Sequence, residues 1–228
     1  MRMLCIIMYN TTNITLLMNL KNKNMVSDDE LPEFIYKILV VGDIGTGKTS
    51  IIKKYVHNIF LPGYKSTIGV DFAMKTLTRE NESIKLLLWD IAGQERFTNM
   101  TRIYYKDAHA AIIVFDISRQ HTFDSIMSWL NDIKIKLGDT IPIYIFANKY
   151  DIAPEYDTTD LEEFCKKNNI SAFYKTSARN GDNIIEAIDS LANLLLKNDI
   201  SYGVKKQKSN IITLDQNKNN NSNCCSLI

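Results

Sequence analysis

Residues 40–55, VVGDIGTGKTSIIKKY, constrain this chain more than any other stretch. An apolar run from Ile38 to Val41 stops at Gly42, and three glycines fall within six residues before Lys48, Thr49 and Ser50 open a helical pattern. Such glycines can serve a bare tight turn or an anion cradle. Residues 42–49 fit G-x-x-x-x-G-K-[ST] in the strand–loop–helix context that motif requires. Glycine lets consecutive backbone N–H groups turn inward around phosphate oxygens, and the helix N-terminus adds partial positive charge. Lys48 is expected to reach the β- and γ-phosphates, and the Thr49 hydroxyl to ligate Mg²⁺. Gly45, Thr46, Gly47 and Ser50 belong to the same cradle. The cradle alone does not choose the nucleotide, nor decide between a kinase, an ATPase and a switch.

Around this loop, short apolar runs alternate with helical patterns. The runs are 35–42, 70–77, 84–90, 110–116, 141–149 and 171–178; helices are expected over 48–57, about 97–107, 121–137, 158–168 and 182–197. Ser118 and Asn180 read as start signals for two of the helices. Arg79 to Ser83 reads as a hairpin turn joining the second and third strands. Continuous apolar runs such as AAIIVFD suggest central strands covered on both faces. The expected fold is an α/β P-loop NTPase: a six-stranded, mostly parallel sheet, one antiparallel edge strand, and helices on both faces. Its ligand should sit beyond the carboxyl ends of the strands.

The chain has 228 residues, enough for one domain of ordinary size, and a formal net charge of +1 that gives no footprint for nucleic acid. Its four cysteines, Cys5, Cys165, Cys224 and Cys225, have neither metal spacing nor a disulfide framework, which suits a reducing compartment. The early apolar run Met3 to Tyr9 has seven residues where a membrane span needs about twenty. Residues 1–33 are Asn-rich and expected to be disordered, with Met25 a possible true start. The domain is expected over 34–197, and 198–228 to form a disordered tail.

Further motifs stand where strands end. Asp90-Ile91-Ala92-Gly93-Gln94 offers a carboxylate for a magnesium-bound water, a Gly93 N–H for a γ-phosphate, and Gln94 to orient an attacking water. In Asn148-Lys149-Tyr150-Asp151, Asp151 can accept from both the ring N–H and the exocyclic amine of guanine. Adenine presents the opposite pattern and would leave that carboxylate unpaired. Ser177-Ala178-Arg179 follows the last strand, where the Ala178 N–H could donate to the guanine oxygen. Thr67 supplies a second hydroxyl for Mg²⁺ if its loop folds over the phosphates.

Across residues 35–197 this set resembles the small GTPases of the Ras superfamily. Ile68 to Phe72 and Trp89 to Phe97, with Tyr104-Tyr105, resemble the Rab family in particular. Ile91, together with TSIIKKYVHNIF, TIGVDFAMK and NMTRIYYKDA, is similar to the Rab branch that serves lysosome-related organelles and endosomal traffic. The resemblance implies a GTP/GDP switch with Mg²⁺, acting as a monomer. Its partners would be GTP-dependent effectors, an exchange factor, a GTPase-activating protein and a prenyl-binding escort or dissociation inhibitor. It also implies that Phe60 packs edge-on against guanine, that Tyr64 closes over the phosphates, and that Phe72, Trp89 and Tyr104 form the aromatic patch read by effectors. Phe72 and Trp89 could also be core strand residues, and the two roles are compatible. Ile44 stands where Ras itself has glycine and could crowd an incoming arginine finger; Arg179 replaces the usual lysine. No arginine is placed by the sequence to act in cis, so a partner is expected to supply the finger.

The terminus CCSLI resembles Rab geranylgeranylation sites at Cys224 and Cys225; read as C-a-a-X, only Cys225 would be modified. That implies a place on the cytoplasmic face of endosomal or lysosome-related vesicles, with cycling through the cytosol. The alternative is a GTP-locked scaffold that scarcely hydrolyses, prompted by Ile44. A metabolic P-loop kinase is disfavoured by the Asn148–Asp151 motif and by the lack of an acceptor-binding lid.

Overall fold

The computed structural model describes residues 33–63, 65–79, 82–94 and 101–201. β1 (Glu33–Val41) runs into the glycine loop and α1 (Lys48–His57); β2 (Val70–Thr78) and β3 (Ser83–Ile91) follow. Next come α2 (Thr101–Tyr105), β4 (Ala110–Asp116), α3 (Gln120–Asp124), α4 (Ile126–Leu137) and β5 (Ile143–Asn148). A 3₁₀ turn (Tyr150–Ile152), α5 (Thr159–Asn168), β6 (Ala172–Thr176) and α6 (Ile184–Ser201) complete the domain. The six strands lie in the order β2-β3-β1-β4-β5-β6. Only β2 is antiparallel, paired with β3 from Val70↔Ile91 to Thr78↔Ser83, so it forms the antiparallel edge that the sequence anticipates.

β4 and β5 are buried at every position, the consequence of having helices on both sides. Along β1, Tyr36, Ile38 and Val40 face one core, with Ile51 and Tyr55 of α1 and Ile188 and Leu191 of α6. Leu39 and Val41 face the other, with Trp129 and Ile133 of α4 and Leu161 of α5. This period-two split around a central strand drives the layering, since each such side chain gains about 1.5–3 kcal/mol on full burial. No helix among the described residues is long and apolar enough to cross a membrane.

Some boundaries differ from the sequence expectation. The helix expected over 121–137 is two helices, divided at Ser125, whose hydroxyl bonds back to the His121 carbonyl at 3.0 Å. Within the stretch expected helical at 97–107, the helix spans Thr101–Tyr105, and residues 97–100 lie outside the described residues. The last helix runs on to Ser201, where the Tyr36 hydroxyl donates to Asp199 at 2.8 Å and anchors its final turns. Neither expected start signal caps a helix. Ser118 donates to Asp116 at 2.6 Å, and the Asn180 side chain donates to Asp182 at 3.1 Å. In both cases the side chain is turned toward a carboxylate two residues away.

Candidate nucleotide-binding site

The parallel strands all end at one edge of the sheet, and their following loops assemble there. Gly42 turns the chain sharply at φ 138°, and a Cβ there would strike the Val114 carbonyl of β4. Gly47, at φ 99°, precedes α1; a Cβ on it would strike the Asn148 amide. Only glycine lets β1, β4 and β5 bring their ends this close. The first turn of α1 carries no acidic residue of its own to offset its partial positive charge.

A cleft of about 290 Å³ opens over this loop, lined among others by Ile44, Gly45, Gly47, Lys48, Thr49 and Ser50. Phe60, Thr67, Gly93, Gln94 and Lys149 also line it. Phe60, Ile44 and Gln94 are exposed at the cleft, whereas Thr46 is fully buried, its hydroxyl donating to the Asp43 carbonyl at 3.0 Å. Lys48 is 5% exposed, and its ammonium donates to the Gly42 and Asp43 carbonyls at 2.8 and 2.9 Å. Burial lowers its pKa to about 8, against an upward pull from Asp90 and Asp43. Gly93 abuts the cradle: a Cβ there would lie 2.6 Å from the Ile44 nitrogen.

Three oxygens from separate elements converge beside Lys48. The Thr49 hydroxyl lies 2.8 Å from that of Thr67 and 2.5 Å from Asp90 Oδ2; Thr67 lies 3.3 Å from the same carboxylate oxygen. Asp90 Oδ1 is buried without a hydrogen-bond partner. Burial raises the Asp90 pKa, and the bonds from Thr49 and Thr67 with the Lys48 charge only partly offset it. Two hydroxyls and a carboxylate with a spare oxygen form the all-oxygen set that a hard divalent cation takes. Among the described residues no cluster of three or more His, Cys, Asp or Glu side chains offers another metal site.

At the Lys149 end stands a densely bonded group. Asn148 Nδ2 donates to the Thr46 carbonyl at 2.7 Å, and its Oδ1 accepts from the Ala178 N–H and the Thr176 hydroxyl at 3.1 and 3.3 Å. The Ala178 N–H, expected to serve the guanine oxygen, is therefore engaged by Asn148, whose amide is turned that way by its bond to Thr46. Ser177 donates to Asp151 Oδ1 at 2.7 Å; Arg179 is exposed. The Lys149 ammonium pairs with Asp116, which in turn binds Arg119, and Arg119 Nη2 donates to the Ile44 carbonyl at 3.0 Å. Asp116 and Arg119 belong to none of the motifs that mark the site in the sequence. The available signal was a single charge closing the apolar run AAIIVFD at the strand end where ligands bind. Trp129 lies outside those motifs too; its indole N–H donates to Asp43 at 2.8 Å and props the glycine loop from α4.

On the β2–β3 face, Phe72 and Trp89 stack with ring centroids 6.2 Å apart, and the Lys37 ammonium lies 3.8 Å over the Trp89 ring. Phe72 is 67% exposed and so belongs to the surface, while Trp89 and Tyr104 pack partly against the second core. Tyr64, Glu95 to Phe97, Cys224 and Cys225 lie outside the described residues.

A model of the Ras family matches residues 37–197. The Ras-related protein Rab-32A of Dictyostelium discoideum is 47% identical over 188 residues, covering 78% of this chain and 86% of its own. Human Ras-related protein Rab-32 is 43% identical over 206 residues, 86% of this chain and 92% of its own. The mouse Ras-related protein Rab-7L1 is 38% identical over 200 residues, 85% of this chain and 98% of its own.

Proposed function

Because this chain belongs to the Ras family as one of its Rab members, we propose that it is a lipid-anchored switch whose slow GTP hydrolysis times effector recruitment to endosomal or lysosome-related vesicles. As a family member it binds GTP and GDP and hydrolyses GTP. In the proposal, Gly45 to Ser50 hold the phosphates, Lys48 carries the charge that develops on the β- and γ-oxygens, and Gln94 orients the attacking water. Asp151 reads the guanine edge, with Asn148 and the Ser177–Arg179 turn shaping its pocket, Phe60 against the base and Tyr64 over the phosphates. Thr49, Thr67 and Asp90 would hold Mg²⁺, which supplies charge neutralisation to the phosphate oxygens when bound.

The observation that carries the switch reading is the 2.8 Å contact between the Thr49 and Thr67 hydroxyls. It ties the exposed loop before β2 to the N-terminus of α1, so a ligand between them biases that loop. Loss of the γ-phosphate would release Thr67 and Gly93 together and change the surface next to Phe72 and Trp89. That surface, with Tyr104, is the one effectors would read. Two lipids at Cys224 and Cys225 would anchor the chain stably where one holds only marginally.

Ile44 favours slow turnover: it is 42% exposed at the cleft, where a partner's arginine would enter. Single-turnover GTP hydrolysis with and without a Rab-type activating protein tests the cycle. Stimulation supports it, and an unresponsive rate favours the GTP-locked scaffold. Localisation before and after replacing Cys224 and Cys225 by serine tests the anchor, because a distribution that does not change would exclude it.

A further inference from the structure

Asp116 is the last residue of β4, and it is 1% exposed. A bare carboxylate at that depth is strongly unfavourable, and this one is saturated. Its Oδ2 accepts from the Lys149 ammonium at 2.5 Å and from Arg119 Nε at 2.7 Å. Its Oδ1 accepts from the Ser118 amide at 3.0 Å and hydroxyl at 2.6 Å. Burial pushes its pKa up, but the bonds from Lys149, Ser118 and Arg119 outweigh that and hold the carboxyl below its ordinary range.

Both cations lead into the nucleotide site. Lys149 has φ 69°, a left-handed conformation lysine rarely adopts, and it lies between the locked Asn148 and Asp151. Arg119 spans from Asp116 to the phosphate loop through the Ile44 carbonyl. Strained backbone persists only where its surroundings over-determine it. At Lys149 the restraints are the Asp116 ion pair and the 3.0 Å turn bond from the Ile152 N–H to the Lys149 carbonyl.

We infer that Asp116 is a positioning residue for base recognition: it holds Lys149 in its left-handed turn, so that Asp151 faces the guanine edge, and through Arg119 it ties that turn to the phosphate loop. The inference rests on reading Asn148–Asp151 as the guanine site. One carboxylate oxygen serves both cations, so removing its charge leaves Lys149 and Arg119 repelling each other at the junction. The turn then loosens, and the contact it aims is the first to suffer. Hypoxanthine lacks the exocyclic amine of guanine but keeps the remaining edge, so it depends less on the placement of Asp151.

The test follows the release of fluorescent GDP and inosine diphosphate from the full chain, wild type beside Asp116→Asn and Arg119→Ala. Asp116→Asn is expected to speed GDP release by about tenfold and to narrow the preference for GDP over inosine diphosphate by about threefold. Arg119→Ala, which leaves the Lys149 pair intact, should speed both releases by about threefold without moving the preference. General loosening of the fold would accelerate both nucleotides equally, so an unchanged preference in Asp116→Asn overturns the proposal, as does unaltered release. Should that variant not fold, Asp116→Asn combined with Arg119→Gln conserves net charge and carries the same comparison. A wild-type chain that holds ADP as firmly as GDP would instead refute the guanine-site reading itself.

Discussion

The two ends of the proposed nucleotide site, a base end and a phosphate end, are built differently. At the base end, polar groups are satisfied within the protein: Asn148 spans the glycine loop and the β6–α6 turn, Ser177 holds Asp151, and Asp116 takes four donors. At the phosphate end, three oxygens of Thr49, Thr67 and Asp90 share mainly one another, and Asp90 Oδ1 has no partner. The neighbouring loop exposes large apolar groups, with Ile68 at 93% and Leu61 at 62%. A saturated, buried network has one low-energy arrangement, whereas an under-satisfied cluster beneath an exposed loop takes its shape from what binds there. The contrast suits the proposed switch, which would grip two nucleotides alike at one end and tell them apart at the other.

The sharpest way to break this contrast is at Asp151. Replacing it with alanine should lower GDP affinity by about 10²–10³-fold, measured by titration with labelled nucleotide, because the pre-formed base end then leaves donors of guanine unpaired. A loss no greater than that caused by the same change at a surface aspartate would mean that the base end does not select. At the other end, Gln94→Leu should slow single-turnover GTP hydrolysis by about 10²-fold while GDP release stays near the wild-type rate. Equal effects on both would show that Gln94 acts on binding rather than on the water.

A pH series addresses Lys48, which lies at the phosphate end beside Asp90. Its pKa is about 8 through burial, and bound phosphate must raise it. Below that value the amine is protonated with or without nucleotide, and affinity is flat. Above it, the complex holds more protons than the free protein, so affinity falls as pH rises, by up to about tenfold per unit. GDP titrations across neutral and alkaline pH check this, and a flat profile would place the proton elsewhere. The smallest effect belongs to Phe72→Ala. Because the side chain is 67% exposed, the melting temperature should shift by only about 2 °C or less. Capture of GTP-dependent partners should nevertheless be lost, and retained capture would remove Phe72 from the effector surface.

Much of the grouping of residues at this cleft was legible because its signals are local. A glycine-rich loop between a strand and a helix, and polar tetrads closing apolar runs, carry their chemistry in consecutive residues. The antiparallel edge was readable from the short gap between β2 and β3. What escaped was decided across the sheet. The Lys149 ammonium goes to Asp116 because β4 and β5 pair Asp116↔Asn148, a register no local pattern states. The Trp129 indole likewise finds Asp43 from a helix far along the chain.

By itself, the order of residues determined which groups could meet phosphate and guanine, since backbone freedom at Gly42 and Gly47 and the side-chain types that follow are properties of short segments. Only the tertiary structure decided which of those groups are already engaged and which remain open. That depends on where burial strips water from Asp116, Asn148 and Asp90, and a buried polar atom must take whichever partner the sheet brings within reach.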